Sequence, residues 1–521
     1  MKHARFVLAI ACALGAAAPA GPAAAADDKQ VAKLLKQLKD RKEDKRIEAS
    51  NALVDMKVAA AVPALIEALH DTSRVVRYNA AGALWNLGEA ARPAVPELMK
   101  RLADDDAGVR LQAAGALSNL DTAAAEWVAA VRSTLRDGDE ETRKRARDLL
   151  KRAGNGGIQS AAHDGQVEVV TGLLDGGIEV DALDKNKRTA LHWAAQADKP
   201  EVVKLLLARG ANVTLADEDK NQPLHLAANA GSAEVTRLLL AKKPDLNVAN
   251  GHAFTPLHLA AGQGAKPVVE LLLAAGANPR AKTASGAAPV HLAALKGKTD
   301  VVLLFMAKGV DVNLPDEHTA GPVYYAAAGG HTELVKLLLD RKAAVKGTGL
   351  MGESMAGTPL HAAARGGHIA TMELLIARGV PLDGQEFGRT ALDVAAGEGQ
   401  VEAMKLLLAK GMKVDAVVPQ TTGETPLHYA VFQGHLAAAR FLIENGANVN
   451  KVETGRGRTP LHRIADMGSL GGERRDVLLL LLEKGAKIDA KDGEGKTPLA
   501  LALGARNDDV VKLLRERGAK E

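Results

Sequence analysis

Thr255-Pro256-Leu257-His258-Leu259-Ala260-Ala261, followed by the apolar run Val268–Ala274 and then Gly276, is the stretch whose reading decides the fold. Thr255 is a good N-cap, and Pro256 fits the first helical turn, where its missing N–H is harmless. Leu257 then points into a stack, and the alanine pair lets two helices approach closely. A second helix is expected over Val268–Ala274, stopping at Gly276. The motif returns every 33 residues, as Thr-Ala-Leu-His at 189–192, Gln-Pro-Leu-His at 222–225, Ala-Pro-Val-His at 288–291 and Gly-Pro-Val-Tyr at 321–324. It continues at 358–361, 390–393 (Thr-Ala-Leu-Asp), 425–428, 459–462 and 497–500 (Thr-Pro-Leu-Ala). Stepping back 33 residues from Leu191 reaches Ile158 in a degenerate copy, which makes eleven units. No such unit closes its own apolar face, so neighbours must stack.

A second periodicity precedes this one. Val62-Pro63 recurs as Val95-Pro96, Ala81-Gly82-Ala83-Leu84 as Ala114-Gly115-Ala116-Leu117, and Arg77 as Arg110 and Arg143. A looser copy carries Arg46 and Ala52-Leu53, so four helix pairs are expected in 27–154. Each reads as a helix such as Val62–His70, an Asp-bearing turn that can cap the next helix, and a second helix such as Val76–Leu87, with Gly88 able to take the left-handed C-terminal position.

The run Asp71…Val76-Arg77…Ala80-Ala81-Gly82-Ala83-Leu84…Leu87-Gly88 resembles HEAT repeats of the short, phycobilisome-lyase-like type. The eleven later units resemble ankyrin repeats over 155–521. Together they imply an all-α, elongated α-solenoid of HEAT-like helix pairs followed by ankyrin repeats with short β-hairpin fingers. The ankyrin resemblance further implies that the motif histidine ties turns and hairpins together. In the last unit Leu513-Leu514-Arg515-Glu516 puts charge where internal units have Leu205-Leu206-Leu207-Ala208, as a cap would. Gly154-Asn155-Gly156-Gly157 joins the two arrays, either as a hinge or with the first ankyrin unit docked on Leu149 and Leu150.

Composition agrees with thin alanine–leucine layers. Of 521 residues 47% are hydrophobic, yet aromatics make up only 2%. Met1–Ala26 has a basic start, an apolar run from Phe6 to about Ala18 and a small-residue tail, which reads as a cleaved secretory signal. Pro19-Ala20-Gly21-Pro22 cuts the run short of the roughly 20 residues that a membrane anchor needs. The only cysteine, Cys12, lies inside that segment, so the mature chain is expected to have no disulfide and no thiolate metal site. Residues 27–154 hold 23 basic and 21 acidic side chains, and 155–521 hold 42 of each. Such neutrality argues against a nucleic-acid groove, whose affinity rests on phosphate neutralisation.

Four matches invite an enzymatic reading, and the fold answers each. Ala490…Gly495-Lys496-Thr497 resembles a phosphate loop, but it falls in a finger and Pro498 removes an N–H from the helix start. Gly347-Thr348-Gly349-Leu350-Met351-Gly352 has no buried strand before it. Gly352-Glu353-Ser354-Met355-Ala356 lacks the second glycine of a nucleophile elbow. Seven of the 15 histidines (192, 225, 258, 291, 361, 428 and 462) share one motif position, one per layer, and form no compact ligand set. No cofactor, no metal, no catalytic residue and no small-molecule substrate is therefore expected.

Recognition is the remaining use. By the ankyrin resemblance, positions that vary between units line a concave, finger-bearing face. Six of the nine aromatics after residue 154 fall there: Trp193, Tyr325 and Tyr429 in the first helices, Phe254 and Phe387 in fingers, and Phe432 after an alanine position. Exposed aromatics of this kind are interface anchors, worth about 2 kcal/mol or more each as hot spots; the alternative is that they pack between layers. Polar fingers carrying Arg188 and Asp219 would form the rim. Two insertions, in the finger 341–357 and in Gly468–Arg474, fall in loops. The reading is a signal peptide (1–26), a HEAT-like domain (27–154) and an ankyrin domain (155–521). It describes an exported, non-enzymatic scaffold for a protein partner, periplasmic or extracellular in a bacterial envelope. The alternative is a secreted effector or a toxin-neutralising, immunity-type protein.

Overall fold

The structure, a computed structural model, describes residues 22–120, 124–345, 357–385, 387–418, 421–467 and 471–520. The chain divides into two compact units. One runs to Lys185 and includes Lys204–Ala211; the other comprises Asn186–Val203 and Asn212–Glu521. Met1–Gly21 of the expected signal, the finger segment 346–356 with both its glycine motifs, and Gly468–Leu470 lie outside the described residues.

In the first unit the four expected helix pairs form as α1 (Pro22–Gln37) with α2 (Glu43–Val54), α3 (Val62–Ala68) with α4 (Arg74–Leu87), α5 (Val95–Arg101) with α6 (Ala107–Asn119), and α7 (Ala124–Asp137) with α8 (Glu140–Asp164). Leu65, Leu69, Leu84, Leu98 and Leu117 are almost wholly buried between them. Pro63 and Pro96 sit in the first turns of α3 and α5, as their lack of an N–H allows. Gly88 has φ 54 but ψ −129, outside the expected left-handed helical cap, and leads into a 3-10 segment, Gly88–Ala94.

The recurring arginine has a structural cause. Arg77 forks onto Asp104 through Nε and Nη2, both at 2.9 Å, while Nη1 donates to the carbonyls of Asp71 and Thr72. Arg46 does the same to Asp71 and the carbonyls of Asp40 and Arg41, while Arg110 donates to the carbonyls of Asp104 and Asp105 but meets Asp137 through Nη2 alone. Each guanidinium thus satisfies its own turn and the acid of the next, in Arg46 and Arg77 with a bidentate geometry that lysine cannot supply. Asp106 and Asp139 cap the helices that follow them, accepting from Val109 and Thr142 N–H.

No break occurs at Gly154–Gly157, because α8 runs through them as helix. Its last turns carry Ile158 and serve as the first helix of the first ankyrin-like unit, whose second helix is α9 (Val167–Asp175). Leu150 lies on Gly176 so closely that a Cβ there would sit 2.2 Å from Leu150 Cδ1. Of the two sequence alternatives, docking on Leu150 is the one realised.

In the second unit every repeat is a helix pair. Pro256–Gln263 and Lys266–Ala274 are typical, the latter starting two residues before Val268 because Pro267 fits its first turn. Leu257, Ala260, Ala261, Val268, Val269 and Leu272 of that layer are fully buried. First helices stack on first helices and second on second. The repeat-ten insertion lengthens the second helix to Gly472–Glu483, 12 residues against nine. The fingers are not β-strands: among the described residues six close with a single backbone rung, as from Asp316 N–H to Ala320 C=O at 3.0 Å.

Two residues before the motif start the backbone is left-handed at Lys187, Lys220, Ala253 and Thr319 (φ 69), as at Gly286, Gly388, Gly423, Gly457 and Gly495. Thr319 is the costliest of these, since it is β-branched and its Oγ1 is buried without a partner. Thr319→Gly is expected to stabilise the protein by about 1 kcal/mol, read as a raised denaturation midpoint. Arg77→Ala leaves the buried Asp104 carboxylate to Arg101 and the Asp106 N–H, and a loss of about 2 kcal/mol in urea unfolding is expected.

Candidate functional site

The face made by fingers and first helices begins with the motif histidine. In His258, Nδ1 accepts from Thr255 N–H at 3.2 Å, and Nε2 donates to Ala287 C=O of the next repeat at 3.1 Å. Because an N–H occupies Nδ1, the proton resides on Nε2 and the ring is neutral. His192, His361, His428 and His462 reach the equivalent carbonyls of Asn221, Arg389, Arg458 and Lys496. His225 and His291 reach Val248 and Leu314 instead. Burial holds the six imidazoles of 192, 225, 258, 291, 428 and 462 below the ordinary histidine range, to about 4 in His258 and His428.

On this frame each finger is shaped by its own side chains and linked to the next. Asp316 Oδ1 accepts from His318 and Ala320 N–H at 2.8 Å, and Asp492 Oδ1 from Glu494 and Lys496 N–H at 2.9 Å. Neighbouring fingers share rungs such as Gly251 N–H to Asp219 C=O, at 2.7 Å. The Lys496 loop is one such finger: its Nζ pairs with Glu494, and Thr497 Oγ1 caps Ala500 N–H.

The structure places all eight predicted partner-binding residues on this framework, spread over repeats two to nine. Trp193, Phe254, Tyr325, Tyr429 and Phe432 are half-buried, whereas Phe387 is 58% exposed and Asp219 is exposed. Guanidiniums cover three of the rings. Arg188 lies 5.2 Å from the Trp193 centroid, Arg389 5.9 Å from Tyr429, and Arg463 4.8 Å from Phe432. Tyr325 donates to Asp316 Oδ2 at 2.6 Å and stacks 4.8 Å from His291; Phe254 lies tilted against His258. Phe387, held at φ 48 in its fingertip, meets His318 edge-on at 6.5 Å. Arg188 is mostly engaged within the protein, with Nε on Asp217 at 3.0 Å and Nη1 on Gln196 at 3.0 Å, so its role at the rim is to hold Trp193.

Sequence reasoning passed over Arg389 and Arg463 as ring partners and Arg458, which bridges Asp466 and Asp492. The signal was there for Arg188, Arg389 and Arg458, which all stand immediately before a motif threonine. It also passed over a second histidine row. His331 and His368 stand just before second helices and donate back to Leu295 and Ala328 carbonyls, both at 3.0 Å. Their rings fill space over Gly297 and Gly330 that a Cβ would occupy. Among the described residues no set of three or more His, Cys, Asp or Glu is arranged to hold a metal, and no helix is long and apolar enough to cross a membrane.

Comparison with known proteins adds the following. The model of the ankyrin-repeat family matches in overlapping segments from 143–217 to 414–492, and that of HEAT repeats matches 31–118. The ankyrin match starts within α8, as does the shared helix. Similar curated proteins include Rabankyrin-5 of Mus musculus, 36% identical over 108 residues, which is 20% of this chain and 9% of that protein. Ankyrin repeat and SOCS box protein 18 of Homo sapiens is 42% identical over 161 residues, 30% of this chain and 33% of the relative. A probable 26S proteasome regulatory subunit, p28 of Saccharomyces cerevisiae, is 39% identical over 99 residues, 19% and 41%. The chain therefore spans less than half the length of each.

A folded-state histidine pKa below its unfolded value of about 6.5 means that the unfolded chain takes up protons first. Stability is therefore full above about pH 6.5 and falls as pH drops toward about 4. Thermal unfolding between pH 7.5 and 5 is expected to show a midpoint falling with acid, and His258→Asn is expected to make that fall shallower while lowering the midpoint at pH 7.5.

Proposed function

This chain belongs to the ankyrin-repeat family, with HEAT repeats ahead of the ankyrin array, and on that premise we propose that it is a non-enzymatic scaffold gripping a protein partner on its finger-bearing face. The observation that carries this reading is the set of aromatics presented there under arginine. A ring already held by a guanidinium loses little freedom when a partner covers it, and rigid aromatic anchors dominate interface energetics. Phe387, exposed at a fingertip, supplies the least buried anchor. The charged groups are largely paired with one another, through Arg188–Asp217, Arg458–Asp466 and Arg463–Glu424, which suits a polar interface rim better than a phosphate groove. That relatives include a regulatory subunit of a large assembly agrees with a binding role.

Export to a bacterial periplasm is part of the proposal and rests on the signal-like Met1–Ala26 and the confinement of cysteine to Cys12. Fractionation of cells bearing a tagged chain separates it from the reading as a secreted effector or toxin-neutralising protein, which would accumulate in the medium. For the face itself, crosslinking pull-down from envelope extracts is expected to recover a partner with wild type and to lose it, by tenfold or more for each anchor at about 2 kcal/mol, with Trp193→Ala/Phe254→Ala/Tyr429→Ala. Equal recovery by both proteins places the binding surface elsewhere.

A further inference from the structure

Repeat eight breaks the histidine pattern. At the motif position stands Asp393, 1% exposed, between His361 of repeat seven and His428 of repeat nine. Its Oδ2 does what a histidine Nδ1 does, accepting from Thr390 N–H at 2.7 Å and Thr390 Oγ1 at 2.8 Å. A carboxylate is shorter than an imidazole and carries no proton, and its Oδ1 is buried with no hydrogen-bond partner. The half of the tie that elsewhere crosses to the next repeat is missing. Repeat six also lacks histidine, but there Tyr324 OH receives a hydrogen bond from Arg365 of repeat seven, so that joint is bridged by another route. The joint after Asp393 is loose in a second respect. A pocket of about 650 Å³ runs along it, lined by Leu382, Gln385 and Thr390 on one side and Met412, Val417 and Val418 on the other, with Val417 41% exposed.

We propose that the joint between repeats eight and nine is a proton-dependent hinge: as a neutral carboxylic acid, Asp393 lets the buried joint stay closed, and as a carboxylate, with Oδ1 buried and unpaired, it drives repeats nine to eleven to open as a block. Around Asp393 stand Arg389 from its own finger, Glu424 and Tyr429 from repeat nine, and His361 from repeat seven, whose Nε2 is engaged by the Arg389 carbonyl. Arg389 is the one cation in this group; it lies over Tyr429, and Glu424 opposes a second negative charge. Burial, set against the Thr390 hydrogen bonds, pushes the Asp393 carboxyl up to about 7. A carboxyl raised in the closed state stabilises that state below its ordinary pKa and ceases to do so as pH climbs through 7, the reverse of the histidine ladder.

Hydrogen exchange on the full chain tests this, with protection factors for repeats nine to eleven compared with those for repeats two to five at pH 6 and pH 8. From a closed-state value of about 7 and an open-state value of about 3.8, protection in repeats nine to eleven is expected to fall about tenfold over that interval, while repeats two to five do not fall. Asp393→Asn, whose amide both accepts and donates, is expected to keep high protection at pH 8, as is Asp393→His, which restores the pattern of the neighbouring repeats. Should the asparagine variant fail to fold, as judged by circular dichroism, the histidine variant decides. Unchanged wild-type protection between pH 6 and 8, or a tenfold fall that persists in the folded variants, overturns the proposal.

Discussion

Hydrogen-bonded imidazoles, one in each of seven repeats, tie the second unit together. Each ring takes an N–H from its own helix start and gives its remaining proton to a carbonyl one repeat on. Stacked repeats touch only their neighbours, so stability is a chain of interface terms, and a device that fixes both the turn and the interface acts on each term where it stands. The buried helix start would otherwise leave an N–H unpaired. The opposite half of the ring would face an unsatisfied carbonyl of the next finger. A neutral histidine answers both needs with one side chain, which explains why burial depresses its proton affinity without leaving a polar atom alone.

The first unit solves the same problem with a different group. Its turns expose carbonyls and its layers must register on each other. Arg46, Arg77 and Arg110 meet both demands by donating backward to carbonyls and forward to Asp71, Asp104 and Asp137. A guanidinium keeps its charge at any physiological pH, whereas the histidine frame titrates. The two units therefore respond differently to acid, although both are helix-pair stacks with nearly equal repeat lengths.

The finger face is a by-product of this framework. Once fingers are pinned by shared rungs and acid-capped turns, residues just before and just after the motif are presented at fixed positions. The arginine before it at 188 and 389 then covers a ring in its own or the next first helix. Half-burial of Trp193, Tyr325 and Tyr429 combines the two sequence alternatives. Each ring packs against its repeat on one side and keeps exposed area on the other.

The sequence by itself determined the repeats, their number, the helix starts at Pro and Thr, the alanine contacts and the positions of the histidines, because these follow from local periodicity and capping chemistry. It also marked Trp193, Phe254, Tyr325, Phe387, Tyr429 and Phe432 as departures from that frame. Only the tertiary structure decided what crosses between repeats. The Arg77–Asp104 and Arg188–Asp217 pairs join residues 27 and 29 positions apart, which no local pattern links. Likewise Gly154–Gly157, which reads as a break, is helix, and packing such as that of Leu150 on Gly176 shows the two segments docked. The fingers, which read as β-hairpins, form no strand ladder and in six cases close with one rung, since side-chain carboxylates and the next finger satisfy the backbone instead. Asp393 looked in sequence like an ordinary variant of the motif. Its consequence arises from the missing reach across an interface, a distance that is set only when two repeats stack.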